Sequence, residues 1–181
     1  MNKISFFLNF LSDPRIGTFA ATPQKVVKKV CRRIDFSKDI VVTEYGPGDG
    51  PYTRHLLDKM TPQSRLIAIE INKNFEAQLR KIDDDRLIII NDDAKYVLRI
   101  LHQNGFQHVD YVISGIPFSF MDQQIAQVII YDTYGALKPG GKFLIYQFSS
   151  SVKKYLNRYF NEVSVELEWG LPYYIVFEAW K

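Results

Sequence analysis

The run Val41-Val42-Thr43-Glu44-Tyr45-Gly46-Pro47-Gly48-Asp49-Gly50 constrains this chain more than any other. A β-branched stretch leads into an acid, and glycines follow at the alternate positions 46, 48 and 50. Glycine admits φ > 0 and lets backbone N–H groups approach a ligand with no Cβ in the way. The spacing predicts a strand, a tight loop and a helix in succession over residues 40–60, the setting in which such a loop holds a ligand. A dinucleotide loop aims its glycines and a helix N-terminus at a pyrophosphate. An acid two residues before the first glycine opposes that. Glu44 suits a ligand carrying positive charge instead. A glycine-rich turn in an α/β protein of another kind is the alternative.

Strand and helix signals alternate from there on, which predicts a mostly parallel sheet covered on both faces. Thr22-Pro23 is expected to cap and open a helix to residue 34, with Val26, Val27, Val30 and Ile34 on one face. Strands are expected at residues 40–45, 65–71, 87–91, 109–114 and 142–148. Helices are expected at 52–60, 73–81, 95–102, 123–137 and 152–160. Lys138-Pro139-Gly140-Gly141 reads as a helix stop followed by a tight turn. Near the C-terminus Val163, Val165, Leu167 and Trp169 alternate with polar residues, the period of a half-buried strand. After Gly170-Leu171-Pro172 a last strand is expected at 173–180, antiparallel to its predecessor because the connection is short.

Composition narrows the function classes only a little. At 181 residues, 46% of them hydrophobic, the chain is expected to be one folded domain with a substantial core. The lone Cys31 excludes an internal disulfide and, lying in an apolar helical pattern, reads as a packed, inert thiol. No run approaches the ~20 apolar residues of a membrane span. No signal-type leader is evident either, so the expectation is cytoplasmic. The net charge of +3 allows an anionic partner without demanding one. No His/Cys/carboxylate cluster has metal-ligand spacing, so no metal is expected. His55, His102 and His108 fall away from the strand ends and read as surface residues.

The segment from Glu44 to Gly50 resembles the first signature of class I S-adenosylmethionine-dependent methyltransferases. That resemblance implies a Rossmann-like seven-stranded sheet, mostly parallel with an antiparallel last strand, and a cofactor bearing an amino group and a sulfonium. Further residues carry over from it. Glu70 ends the second strand 24 positions after Gly46, close to the spacing at which an acid accepts from both ribose hydroxyls. Asp93-Ala94 match the pair that receives the adenine amine, with Asp92 as the competing acid. Cofactor-binding residues are thus expected to be Glu44, Gly46, Gly48, Gly50, Glu70, Asp93, Ala94 and Ser114.

The fourth strand end, Ile113-Ser114-Gly115-Ile116-Pro117-Phe118, is where the methyl acceptor should be read. Adenine N6-methyltransferases, including the ribosomal RNA dimethylases, carry an Asn or Asp there, then an apolar residue, Pro and an aromatic. Their polar side chain accepts from the target amine while the ring stacks on a flipped base. Here Gly115 replaces the polar residue. This version looks instead like bacterial phospholipid N-methyltransferases, which methylate phosphatidylethanolamine. Tyr52, Phe118, Phe120 and Tyr146 are the aromatic residues expected to face a cationic amine, with core packing the alternative for each. Tyr52, Phe118 and Tyr146 are the strongest candidates for the catalytic centre.

The leading segment, residues 1–21, supports the lipid reading, with the methyltransferase domain expected over 22–181. If residues 3–12 are helical, Ile4, Phe7, Leu8 and Leu11 make an apolar stripe that Phe6 and Phe10 widen. Such a face suits the headgroup–acyl boundary of a membrane. Lys25, Lys28, Lys29, Arg32 and Arg33 would add attraction to anionic lipid on the inner membrane face. A helix packed over the active site, or over a symmetry mate, is the alternative. An RNA adenine methyltransferase, or a cofactor-binding module without catalysis, remain the competing functions.

Overall fold

The computed structural model describes residues 22–168 and 173–181. The helix expected over 3–12 and the connection at 169–172 lie outside the described residues. Strands β1 (Val41–Tyr45), β2 (Arg65–Ile69), β3 (Leu87–Ile90), β4 (Val109–Ser114), β5 (Leu137–Gln147), β6 (Glu162–Glu168) and β7 (Tyr174–Trp180) alternate with helices up to β6. The helices are α1 (Gln24–Cys31), α2 (Pro51–Lys59), α3 (Lys73–Leu79), α4 (Val97–Gln103), α5 (Gln123–Ala136) and α6 (Lys153–Tyr159). Short 3₁₀ turns at Ala94–Tyr96 and Phe118–Phe120 follow β3 and β4.

The strands form one seven-stranded sheet in the order β3-β2-β1-β4-β5-β7-β6. β1 to β5 pair in parallel, and β7 runs antiparallel to both β5 and β6. The expected seven-stranded, mostly parallel architecture with an antiparallel last strand is therefore observed. The chain leaves β1 toward β2 and β3 on one side and returns to β4 and β5 on the other. A crevice at the carboxyl ends of β1 and β4 is the consequence, the place where open α/β sheets bind ligands.

Alternation along each strand sends side chains to two separate cores. Val42, Ile113, Leu144 and Val176 meet α1 and α2 through Val26, Val27, Val30, Leu56 and Leu57 on one face. Tyr45, Ile67, Val112, Phe143 and Phe177 meet α4, α5 and α6 on the other. Cys31 is buried in the first core, as its apolar helical pattern predicts, and burial pushes its thiol far above the ordinary range. A packed thiol of that kind is inert.

Three expectations need correction. First, α1 begins at Gln24 rather than at Pro23, and no side chain caps it. Pro23 has an extended ψ of 136°, and its carbonyl accepts from the N–H groups of Val26 and Val27. Second, residues 138–141 are not a free turn after α5. The helix passes into β5 at Leu137, which pairs with Val109, and the register slips before Tyr111 pairs with Lys142. Asp110 in the slip accepts from Val41 N at 2.8 Å and from Lys138 Nζ at 2.9 Å, which fixes the irregularity. Third, β6 is not evenly half-buried. As an edge strand it brings Val163 against the core, but Val165 is 39% and Leu167 65% exposed.

Gly141 tests this account of β5. A Cβ there would lie 2.9 Å from Lys138 O and 3.0 Å from Asp110 O, both backbone atoms that cannot turn aside. Gly141→Ala is expected to destabilise the fold by about 1–3 kcal/mol, the usual cost of overpacking. Thermal unfolding followed by circular dichroism would show the lowered midpoint, and an unchanged midpoint would contradict the register described.

Candidate cofactor and acceptor site

The glycine loop is held between two buried acids. Gly46, Gly48 and Gly50 all adopt positive φ, at 63°, 60° and 87°, so the loop between β1 and α2 turns where side-chain-bearing residues are strained. Gly50 is the residue before α2, and Pro51 occupies its first position, where a missing N–H costs nothing. Glu70, one residue past β2, is 5% exposed. Its Oε2 accepts from Gly48 N at 3.1 Å, and its Oε1 accepts from Asn72 N at 2.8 Å. Burial pushes the Glu70 carboxyl up, and the backbone donors pull it part of the way back. Asn72 itself caps α3 by accepting from Asn74 N, so Glu70 ties the loop to the residue that opens α3 without capping the helix itself.

Glu44 lies under the loop. It is 1% exposed, and its Oε2 accepts from Thr53 Oγ1 at 2.7 Å. Its Oε1 has no hydrogen-bond partner among the described residues. Burial raises its pKa to about 8, with Thr53 opposing and the Glu70 charge adding to the rise. A buried carboxylate oxygen without a donor is costly. A ligand that brings an N–H donor or a positive charge to this spot relieves that cost.

Beyond β3 the acids are more open. Asp93 caps the 3₁₀ turn by accepting from Lys95 N at 3.0 Å, and its Oδ2 lies 3.2 Å from Lys95 Nζ. Asp92 turns the other way, pairing with Arg99 Nη2 at 2.5 Å. The two neighbouring acids are thus held by different cations. Ala94 is buried at the start of the turn. Ser114, fully buried at the end of β4, accepts from Ile116 N through Oγ at 3.2 Å. The glycines, Glu44, Glu70, Asp93, Ala94 and Ser114 all fall at the carboxyl ends of β1 to β4, and hydrogen bonds join the loop to Glu70 and α2 to Glu44.

The aromatic candidates divide. Tyr52 and Tyr146 stack at 4.2 Å between centroids with planes 19° apart. Both belong to the core under α1 and α2, where burial pushes both phenols well above their ordinary range. Tyr52 is fully enclosed, and its hydroxyl has no partner among the described residues. Phe118 is buried in the core of the opposite face, whereas Phe120 is exposed. Two features went unrecognised in the sequence. Thr53, the partner of Glu44, carries a weak signal as a hydroxyl in the first turn after the loop. The Tyr52–Tyr146 contact joins residues 94 apart and carries none.

No family model matches the chain. It is 26% identical over 162 residues to an ornithine lipid N-methyltransferase of Singulisphaera acidiphila, a likeness covering 88% of this chain and 84% of that protein. A ribosomal RNA small subunit methyltransferase A of Bordetella pertussis is 36% identical over 106 residues, covering 58% of this chain and 37% of that one. Among solved structures, a 1,6-didemethyltoxoflavin-N1-methyltransferase of Burkholderia thailandensis with bound S-adenosylhomocysteine superposes at a TM-score of 0.74. It is 16% identical and the match covers 98% of this chain and 86% of that chain. The fold is that of class I S-adenosylmethionine-dependent methyltransferases, and the similarity to such enzymes supports an enzyme of the same kind. The site's features fit the cofactor: an open carboxylate oxygen, a glycine cradle and an acid at the second strand end.

Two outcomes are expected. Glu70→Ala should weaken S-adenosylmethionine binding by roughly 1.5–3 kcal/mol, the value of hydrogen bonds to a charged group, without unfolding the domain. Calorimetry on a folded variant showing wild-type affinity would reject the role. The second outcome concerns pH. With its folded pKa raised from 4.5 to about 8, Glu44 binds a proton more tightly in the native than in the unfolded chain. Ligand-free stability should therefore fall as pH rises from about 4.5 to about 8 and level off above. A cationic ligand favours the ionised acid, so cofactor affinity should rise over the same window, and Glu70, shifted in the same direction, adds to that slope. Glu44→Gln should flatten both curves; curves parallel to wild type would remove Glu44 from the account.

Proposed function

We propose that this methyltransferase acts on the amine of a membrane lipid headgroup at the bilayer surface. One observation carries the reading: the likeness to the ornithine lipid N-methyltransferase runs nearly the length of both proteins. The likeness to the ribosomal RNA enzyme, although closer in identity, spans little more than a third of that protein. Gly115 adds support, because the polar side chain with which a base amine would be read is missing there. Exposed apolar side chains at the same strand ends, Ile71, Phe120, Phe148 and Tyr173, also suit an acceptor that arrives in a lipid surface. Among the described residues no helix is long and apolar enough to cross a membrane.

When bound, S-adenosylmethionine supplies a methyl group on a sulfonium, open to in-line attack by an amine. The chain's own part is placement, which accounts for much of the rate in such reactions. Glu44 and the loop hold the amino acid end, Glu70 the ribose, and Asp93 the adenine amine. Tyr52, fully enclosed, backs the ring of Tyr146 and stiffens that wall of the acceptor side. The match with the ribosomal RNA enzyme favours RNA adenine as the second reading.

Labelled S-adenosylmethionine incubated with aminolipid vesicles, and in parallel with ribosomal RNA, decides between them. Label in the lipid fraction is expected; label in RNA alone, or in neither, rejects the lipid reading. The leading segment gives an independent check. Wild-type protein should pellet with anionic vesicles and be only partly released by salt, since insertion is hydrophobic while the basic side chains are screened. RNA binding would fall steeply with salt. Replacing Phe6, Phe7 and Phe10 by serine should abolish pelleting and leave cofactor affinity unchanged.

A further inference from the structure

Gly115 is a glycine because of its neighbour and not because of its backbone. It is absent from the glycines with positive φ. A Cβ at this position would lie 2.4 Å from Tyr146 Oη, 2.8 Å from Cζ and 3.1 Å from Cε2. Real Cβ atoms do not approach that closely, and packed rings do not yield without loss. The register explains the collision. Ser114 pairs with Ile145 across β4 and β5, so 115 and 146 form the next row at the strand ends. Tyr146 is held from behind, because its ring lies against Tyr52, which is fully enclosed at the start of α2. A side chain at 115 and the ring of Tyr146 therefore exclude one another. The polar atom delivered to this row is a phenol oxygen from β5.

We propose that Tyr146 Oη accepts a hydrogen bond from the N–H of the methyl acceptor, doing from β5 what a polar side chain at 115 would do from β4. The inference rests on the reading of this site as an amine methyltransferase and names the residue that sets its acceptor. A phenol oxygen accepts as well as donates. Burial, with the Glu44 charge as a lesser contributor, raises the pKa of Tyr146 and keeps its oxygen neutral. Accepting one N–H fixes the direction of the amine lone pair, and the stack on Tyr52 fixes the oxygen. In the transfer the amine enters as its free base. Its lone pair forms the N–CH3 bond as the S–CH3 bond breaks and its electron pair passes to sulfur. The ammonium product then gives its extra proton to water.

The test uses the full chain. Y146F keeps the ring, the stack and the volume and removes only the oxygen. Transfer is measured with labelled S-adenosylmethionine on phosphatidylethanolamine–phosphatidylglycerol vesicles, on ornithine lipid vesicles and on ribosomal RNA, with S-adenosylhomocysteine affinity by calorimetry and thermal stability alongside. On whichever acceptor the wild type uses, Y146F is expected to lower kcat/KM about 10- to 100-fold, the effect of losing one hydrogen bond to the reacting group. S-adenosylhomocysteine affinity should stay within about twofold and the melting midpoint should hold. G115A should lose a comparable factor with the phenol still present, because its Cβ drives the ring aside, and a changed near-ultraviolet tyrosine signal would report that movement. Wild-type transfer by Y146F overturns the proposal, since packing alone is then sufficient. So does a parallel loss of transfer, cofactor affinity and stability, which marks a structural role. Wild type methylating RNA and not lipid would sink the lipid reading while Y146F still decides the role of Tyr146. Wild type methylating none of the three overturns both.

Discussion

The hydrogen bond from Gly48 N to Glu70 Oε2 joins the two strand ends on which the cofactor side depends. A backbone bond from Gly46 N to Ile69 O at 3.0 Å already ties the loop to the end of β2, and the Glu70 bond extends that tie to the acid. With it, the carboxylate proposed to meet the ribose also holds the middle of the glycine cradle. Glu70 is buried enough that its charge is costly, and the backbone donors offset part of that cost. Glu44 is the complementary case, with one oxygen satisfied by Thr53 and the other left open. One acid is used to fix the loop, and the other keeps an oxygen without a partner among the described residues.

That arrangement was largely visible in the sequence. Alternating strand and helix signals, the glycine spacing and the acids at strand ends are local patterns, and local patterns survive in one dimension. Strand boundaries shifted by a residue or two, as at β2 and β3, where the acid or amide after the strand belongs to the loop. What the sequence did not carry depends on which strands become neighbours. The expectation for β6 assumed cover on one face. Its place at the sheet edge leaves Leu167 largely exposed. Likewise Lys138 to Gly141 has the composition of a turn, yet Asp110 and the backbone of Lys181 draw it into the sheet.

The aromatic residues show the same limit more sharply. Phe118 and Phe120 stand two apart in one short 3₁₀ turn, and the turn sends one into the core and leaves the other exposed. Tyr52 and Tyr146 are far apart in sequence, and they meet because α2 packs over the face of the sheet that residue 146 faces. The missing polar side chain at 115 was legible. Its cause was not, because the cause is a ring on another strand.

The order of strands sets the candidate cofactor acids apart from the row proposed to meet the acceptor. The acids that suit the cofactor end β1, β2 and β3, on one side of the crevice. Gly115 and Tyr146 end β4 and β5, on the other. On the role proposed for Tyr146, a change in the β4–β5 row acts on the methyl acceptor, while the acids at the ends of β1, β2 and β3 stay in place. A polar side chain on β4 and a phenol on β5 are alternative ways of bringing an oxygen to one place, and steric exclusion at 2.4 Å allows only one of them. A side chain carried on the loop after β4 can move with that loop. The phenol stacked on Tyr52 is fixed in advance, which suits the proposed acceptor, an amine at the end of a headgroup that is itself free to turn. Rigid protein groups and a flexible substrate are the combination in which orientation must come from the protein.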